Sequence, residues 1–232
     1  MTLLADQQLP EMLRTRLEEY RGLGARFAKW RAVITIGETI PSATCLNANA
    51  HALGRYAALC QEAGIVPIVE PEVLMDGGHS LVDCFEVTEA TLHALFNQLY
   101  EQNILLEGTI LKASMVISGS EAKVRADIDE VAEATVQCLL NTVPAALGGI
   151  VFLSGGQSDT EATAHLDAMN RMGGLPWPLS FSYGRALQAP SLQTWGENPA
   201  GNVAAAQRKL AHRARMNGLA AMGRYDPSME KG

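Results

Sequence analysis

Short apolar runs recur about every 30 to 40 residues along this chain, each followed by a stretch of helical periodicity, and no other feature of the sequence constrains the fold as strongly. A strand that returns parallel to its predecessor needs a crossover of a dozen or more residues, which a helix supplies. The rhythm therefore reads as βα units in a parallel sheet. The predicted strands are Phe27–Ile36, Ile65–Val69, about Leu105–Leu111, Gly149–Leu153 and Leu179–Ser182. Dividing 232 residues by the repeat gives five or six units, short of the eight that close a barrel.

Between these runs the periodicity is helical. Leu9, Leu13 and Leu17 step by four in a predicted amphipathic helix from Leu9 to Tyr20. Leu46, Ala50, Leu53, Ala57 and Cys60 define a helix over 43–60, with Gly64 placed to end it in a left-handed C′ conformation. Further helices are predicted over 88–100, with Thr88 as N-cap, and over 128–140, 160–172 and 203–222. Pro71 falls where the second strand is expected to end. There is no linker or low-complexity stretch, so residues 1–232 read as one compact unit.

Composition narrows the function. At 47% hydrophobic and 19% charged residues the chain is a folded globular protein rather than a disordered one. No apolar run approaches the roughly 18 residues of a membrane helix, and the first residues lack a basic-then-apolar secretory pattern. Cys45, Cys60, Cys84 and Cys138 form no Cys-x-x-Cys pair, which fits a reducing cytoplasm. A net charge of -7 speaks against a nucleic-acid partner, so any phosphate is bound locally. The five histidines have no metal-ligand spacing, and no metal is expected. The run Arg208, Lys209, His212, Arg213 and Arg215 reads as a solvated helix face, and Trp30, Trp177 and Trp195 as packing residues.

Chemistry in a parallel α/β array collects at the C-terminal ends of the strands. Lys112 ends the third run with Met115 and Val116 just beyond it, a partly desolvated place where a neutral, nucleophilic amine becomes accessible. The plain alternative is a lysine reaching solvent from a strand end. Glu70 and Glu72, two apart, can share a proton on the same rim, or pair with Lys29 and Arg31 on the neighbouring strand. A lysine, a proton-handling carboxylate and a nearby cation are what an iminium mechanism requires. Ser154-Gly155-Gly156 and Ser182-Tyr183-Gly184-Arg185 end the last two strands, where backbone N–H groups and an arginine can hold a phosphate.

The segments FAKWRAV, GIVPIVEPEVL, LEGTILKASMV, FLSGGQS and FSYGRALQ together resemble, in order and separation, the motifs of class I fructose-1,6-bisphosphate aldolases. The resemblance runs from about Leu13 to Pro227. It implies a (β/α)8 TIM barrel and the reversible, metal-free cleavage of fructose 1,6-bisphosphate to dihydroxyacetone phosphate and glyceraldehyde 3-phosphate. It also implies a cytoplasmic homo-oligomer, a tetramer in the family. On that footing Lys112 forms the Schiff base, Glu70 is the acid/base for iminium formation, and Glu72 supports the charge network. Lys29 is the companion lysine. Arg31, Ser154, Gly155, Gly184 and Arg185 bind the phosphorylated substrate.

Two departures carry expectations. Ala113-Ser114 stands where many relatives have Pro-Asn. The sequence also begins where the family has already formed three βα units. The expectation is a partial barrel matching the fourth to eighth units, impaired on its own. A non-enzymatic binding or assembly module is the alternative reading, and a lysine aldolase for another phosphorylated sugar is a third.

Overall fold

The computed structural model of the chain describes residues 2–231, with side chains from residue 11 onward. Five parallel strands form one sheet: β1 (Phe27–Ile34), β2 (Val66–Val73), β3 (Ile110–Ala113), β4 (Gly149–Phe152) and β5 (Leu179–Phe181). Their spatial order equals their chain order, each strand pairing in parallel with the next. Sequential neighbours of this kind are the arrangement of a βα barrel wall, and five strands make an incomplete one.

Among the described residues seven α-helices accompany the sheet: α1 (Thr2–Gly22), α2 (Ala43–Glu62), α3 (Leu81–Glu101), α4 (Ile128–Thr142), α5 (Asp159–Met172), α6 (Arg185–Glu197) and α7 (Val203–Ala220). The period-2 alternation of each strand gives the sheet two unlike faces. Ile34, Val69, Val73, Leu111, Ala113, Ile150, Phe152 and Leu179 point to the helices and are buried in a contiguous core with Leu53, Leu92, Leu95, Leu139 and Leu166. Each such Leu, Ile or Phe contributes about 1.5–3 kcal/mol by leaving water. The opposite face carries Lys29, Arg31, Glu70, Glu72 and Lys112, which is why these polar residues interrupt otherwise apolar runs.

Side-chain caps set most helix starts. Ser42 accepts from the Cys45 N–H at the start of α2, and Ser80–Asp83, Asp127–Glu130 and Ser158–Glu161 form reciprocal boxes at α3, α4 and α5. The box at Ser80 corrects the expected boundary: α3 begins seven residues before Thr88, which lies buried inside the helix, its hydroxyl 3.9 Å from Cys84 Sγ. Gly64, at φ +67°, follows α2 in the expected left-handed conformation. Leu13 and Leu17 of the α1 stripe pack on the core, and Leu9 lies outside the residues whose side chains are described.

Other expectations need revising. Pro71 lies within β2 opposite Ala32, not at the strand's end; pairing with β3 stops at Val69, so Pro71 sits where β2 has a partner on one side only. Helix α6 is unexpected, because Pro190 lies inside it and only Ala186 is buried, which leaves no apolar stripe to read. Within the basic run, Arg213 is 3% exposed, paired with Glu230 at 2.5 Å, and donates to the Asp159 carbonyl and Thr163 Oγ1. It bolts α7 to the first turn of α5 instead of facing solvent. Trp177 packs and donates to the Pro144 carbonyl at 2.8 Å, whereas Trp30 and Trp195 are exposed.

Candidate active site

Strand β2 supplies the centre of the site. Glu70 is 3% exposed, and its carboxylate lies between two lysines on neighbouring strands, 2.9 Å from Lys29 Nζ on β1 and 3.1 Å from Lys112 Nζ on β3. The register explains the bridge. Lys29 stands opposite Ile68, and Ile68 stands opposite Ile110, so Glu70 and Lys112 are each one same-face step further along adjacent strands. Lys112 is largely buried and Lys29 is half exposed.

Glu72 takes the next same-face step along β2 and pairs with Arg31 on β1. Both halves of the cross-strand pairing reading are thus present. The shared-proton reading of Glu70 and Glu72 is not what the geometry favours, since each carboxylate has its own cations. Burial raises the desolvation cost of Glu72 and the Arg31 contact offsets it, while the hydrogen bond to Glu72 holds the Arg31 guanidinium above its ordinary value. Ser114 donates its hydroxyl to the Val73 carbonyl at 2.8 Å, tying the segment after Lys112 to the end of β2.

The two glycine segments also converge. Ser154 is buried, and Gly155 and Gly156 adopt φ of +57° and +101°, a turn closed by the Gln157 N–H donating to the Ser154 carbonyl at 2.9 Å. Across from it, Gly184 precedes α6, whose N-terminus has no capping side chain. Arg185 opens that helix, and its Nη2 lies 3.7 Å from where a Cβ on Gly156 would stand. A glycine turn, an uncapped helix start and a guanidinium together favour an anion. Lys29, Arg31, Lys112 and Arg185 outnumber Glu70 and Glu72 here by four to two, a positive locality on a chain of net charge -7.

Other nucleophiles are less well placed. Burial pushes the Cys60 thiol up to about 11 and Cys138 up to about 12. Among the described residues, no three His, Cys, Asp or Glu side chains are arranged to hold a metal ion, and no helix is long and apolar enough to cross a membrane. The sequence reading missed Gln157 and Met75. Gln157 is buried below the glycine turn, and Met75 Sδ lies 3.2 Å from the Cβ position of Gly156. A glutamine in an apolar interior is a signal only once its burial is known.

A parallel βα sheet that holds a largely buried lysine against a carboxylate, with a glycine turn suited to an anion on the same rim, is an arrangement compatible with lysine-dependent carbonyl chemistry. The family model for class I fructose-bisphosphate aldolase, of the glycolytic type, matches residues 7–232. A probable class 1 fructose-bisphosphate aldolase of Xanthomonas axonopodis pv. citri is 66% identical over 213 residues, covering 92% of this chain and 64% of that protein. A fructose-bisphosphate aldolase of Dictyostelium discoideum is 51% identical over 215 residues, covering 92% of this chain and 60% of its own length. The solved structure of fructose-bisphosphate aldolase from Plasmodium falciparum, in complex with TRAP and a small-molecule inhibitor, superposes with a TM-score of 0.91 at 46% identity. It covers 94% of this chain and 63% of that one. The chain belongs to the class I fructose-bisphosphate aldolase family, and it spans less than two thirds of the length of these relatives.

Proposed function

We propose that this chain performs the Schiff-base chemistry of a class I fructose-bisphosphate aldolase. The observation that carries the reading is Glu70, buried and bridging Lys112 and Lys29 on one rim with the Ser154–Gly156 turn. Lys112 Nζ attacks the ketone carbon of fructose 1,6-bisphosphate. The Glu70 carboxylate takes the proton that frees the Lys112 amine for attack and then gives it to the departing hydroxyl, so that water leaves and an iminium forms. As the C4 hydroxyl gives its proton to solvent water, the C3–C4 bonding electrons pass into the iminium. Glyceraldehyde 3-phosphate is released and an enamine remains on Lys112, to be protonated and hydrolysed to dihydroxyacetone phosphate. Lys29 supplies positive charge beside the Glu70 carboxylate, and Glu72 holds Arg31 toward the substrate. Ser154, Gly155, Gly184 and Arg185 take the phosphate of the ketose end.

The remaining parts of the proposal follow from the same features. Residues 1–232 act as one unit, because one contiguous core joins the strands and their helices. A homo-oligomer accords with a β1 that has one strand neighbour among the described residues and exposes Phe27, Trp30 and Val33. Four free cysteines accord with a reducing cytoplasm. The test is borohydride reduction in the presence of dihydroxyacetone phosphate followed by peptide mapping. A secondary amine on Lys112 is expected, and label confined to other lysines refutes the assignment.

A further inference from the structure

Gln157 follows the glycine turn directly, yet its side chain leaves the rim for the interior and is 6% exposed. Its Oε1 lies 2.6 Å from Nδ1 of His165 on α5, and its Nε2 donates to Met115 Sδ at 3.6 Å. Met115 is 1% exposed and three residues beyond Lys112. The orientation of the amide is fixed, because sulfur accepts a hydrogen bond and an oxygen turned toward it has no donor to meet. His165 is 2% exposed, and burial pushes its imidazole down to about 4, so the ring is neutral with a single proton. Because the amide oxygen accepts, that proton sits on Nδ1.

A ketose phosphate bound here is held at two ends, covalently at Lys112 and by its phosphate at the Ser154–Gly155 turn. Productive attack requires those two anchors to keep one spacing, since small misplacements of reacting groups are costly. One link between the anchors is backbone, the Leu153 N–H donating to the Ala113 carbonyl at 3.0 Å. A further link is the Gln157 side chain, which joins the turn to the segment after Lys112 and to α5.

We propose that Gln157, held by His165, is a positioning residue that sets the distance between the phosphate turn and the Schiff-base lysine. The inference rests on the Schiff-base reading above and assigns the bridge to the phosphate end of that site. It acts on ketones that carry a phosphate and leaves phosphate-free ketones alone, a distinction that a purely stabilising role does not make.

The experiment titrates borohydride-trapped label on Lys112 against dihydroxyacetone phosphate and against dihydroxyacetone, in the unsubstituted chain and three variants. Gln157→Met keeps length and volume without the hydrogen bonds, and His165→Leu removes the donor. His165→Asn replaces the Nδ1–H with an amide N–H in nearly the same place. Loss of the bridge raises the half-saturating dihydroxyacetone phosphate concentration about tenfold in Gln157→Met and His165→Leu. His165→Asn, and every dihydroxyacetone curve, stay within about twofold of the unsubstituted chain. Equal shifts for the two ketones, or an unshifted phosphate curve, overturn the positioning role. So does a His165→Asn variant as impaired as His165→Leu. If Gln157→Met fails to fold by circular dichroism, the two His165 variants make the same comparison. Absence of label on Lys112 in the unsubstituted chain overturns the Schiff-base reading, and the positioning role with it.

Discussion

Replacing Glu70 by Gln keeps the shape of the side chain and removes the one charge that Lys29 and Lys112 share. At an effective dielectric near 20, each pair at about 3 Å attracts by roughly 5 kcal/mol before the desolvation of the carboxylate is subtracted. Removing one partner of a buried pair costs about 3–5 kcal/mol, because the other charge is left uncompensated. Lys29 is 41% exposed and regains water, whereas Lys112 at 13% does not, so a loss of about 2–3 kcal/mol is expected. For a chain of this size that lowers the thermal midpoint by about 5–10 °C. The chemical effect is larger. The amide cannot donate a proton to the departing hydroxyl, and the rate of iminium formation falls by about 10²–10³. The assay is the time course of borohydride-trapped adduct on Lys112, with thermal unfolding followed on the same samples. Glu72→Gln is the internal control, since Glu72 pairs with Arg31, and it slows the same step by about fivefold or less. A Glu70→Gln chain that forms adduct within about threefold of the unsubstituted rate refutes the acid role, whatever its stability.

Two further outcomes are expected. Well above pH 6.5, His165 is neutral in the folded and unfolded chain alike and contributes nothing to the pH dependence. Between 6.5 and about 4 the unfolded chain binds a proton that the folded chain refuses, so stability falls with falling pH, by about 3 kcal/mol at the lower end. The melting midpoint falls more steeply with falling pH across that range in the unsubstituted chain than in His165→Asn, and equal slopes against pH contradict the assignment. Gly119 packs so closely that an added Cβ would lie 2.2 Å from the Gly77 carbonyl oxygen, so Gly119→Ala must open the junction between the segments after β2 and β3. A loss of about 2–3 kcal/mol in urea unfolding is expected, and a change within about 0.5 kcal/mol shows that the junction relaxes freely.

The parts of the fold that were legible in advance are those whose signal is local. Strand runs that are apolar throughout, such as the one carrying Ile150 and Phe152, and helices with a regular stripe, such as the one carrying Leu53 and Ala57, announce themselves by period. The run expected as a strand over Leu105–Leu111 is interrupted by Glu107 and Gly108; there Leu106–Gly108 form a 3-10 turn and the strand is Ile110–Ala113. Helix α6 has no stripe and contains Pro190, so its existence depends on packing against α7. The early start of α3 depends on which of two threonine- or serine-type residues finds an N–H to accept from, and Ser80 does. In the site, residue types at strand ends pointed to Lys112, Glu70 and the glycine turns. Nothing in their spacing distinguished two carboxylates sharing a proton from two carboxylates each held by a cation.

The sequence by itself determined the βα rhythm, the family and the residue types available for chemistry, because periodicity and motif order are written along one dimension. Tertiary structure alone decided the pairings across strands. Glu70 reaches Lys29 and Lys112 through the register of β1, β2 and β3, which no single segment encodes. Burial, too, belongs to the assembled molecule. It converts Gln157 and His165 from ordinary polar residues into a fixed bridge, and Arg213 from a surface charge into a bolt between helices. A buried polar group must find its partner inside the fold, and that partner is known only when the chain has closed around it.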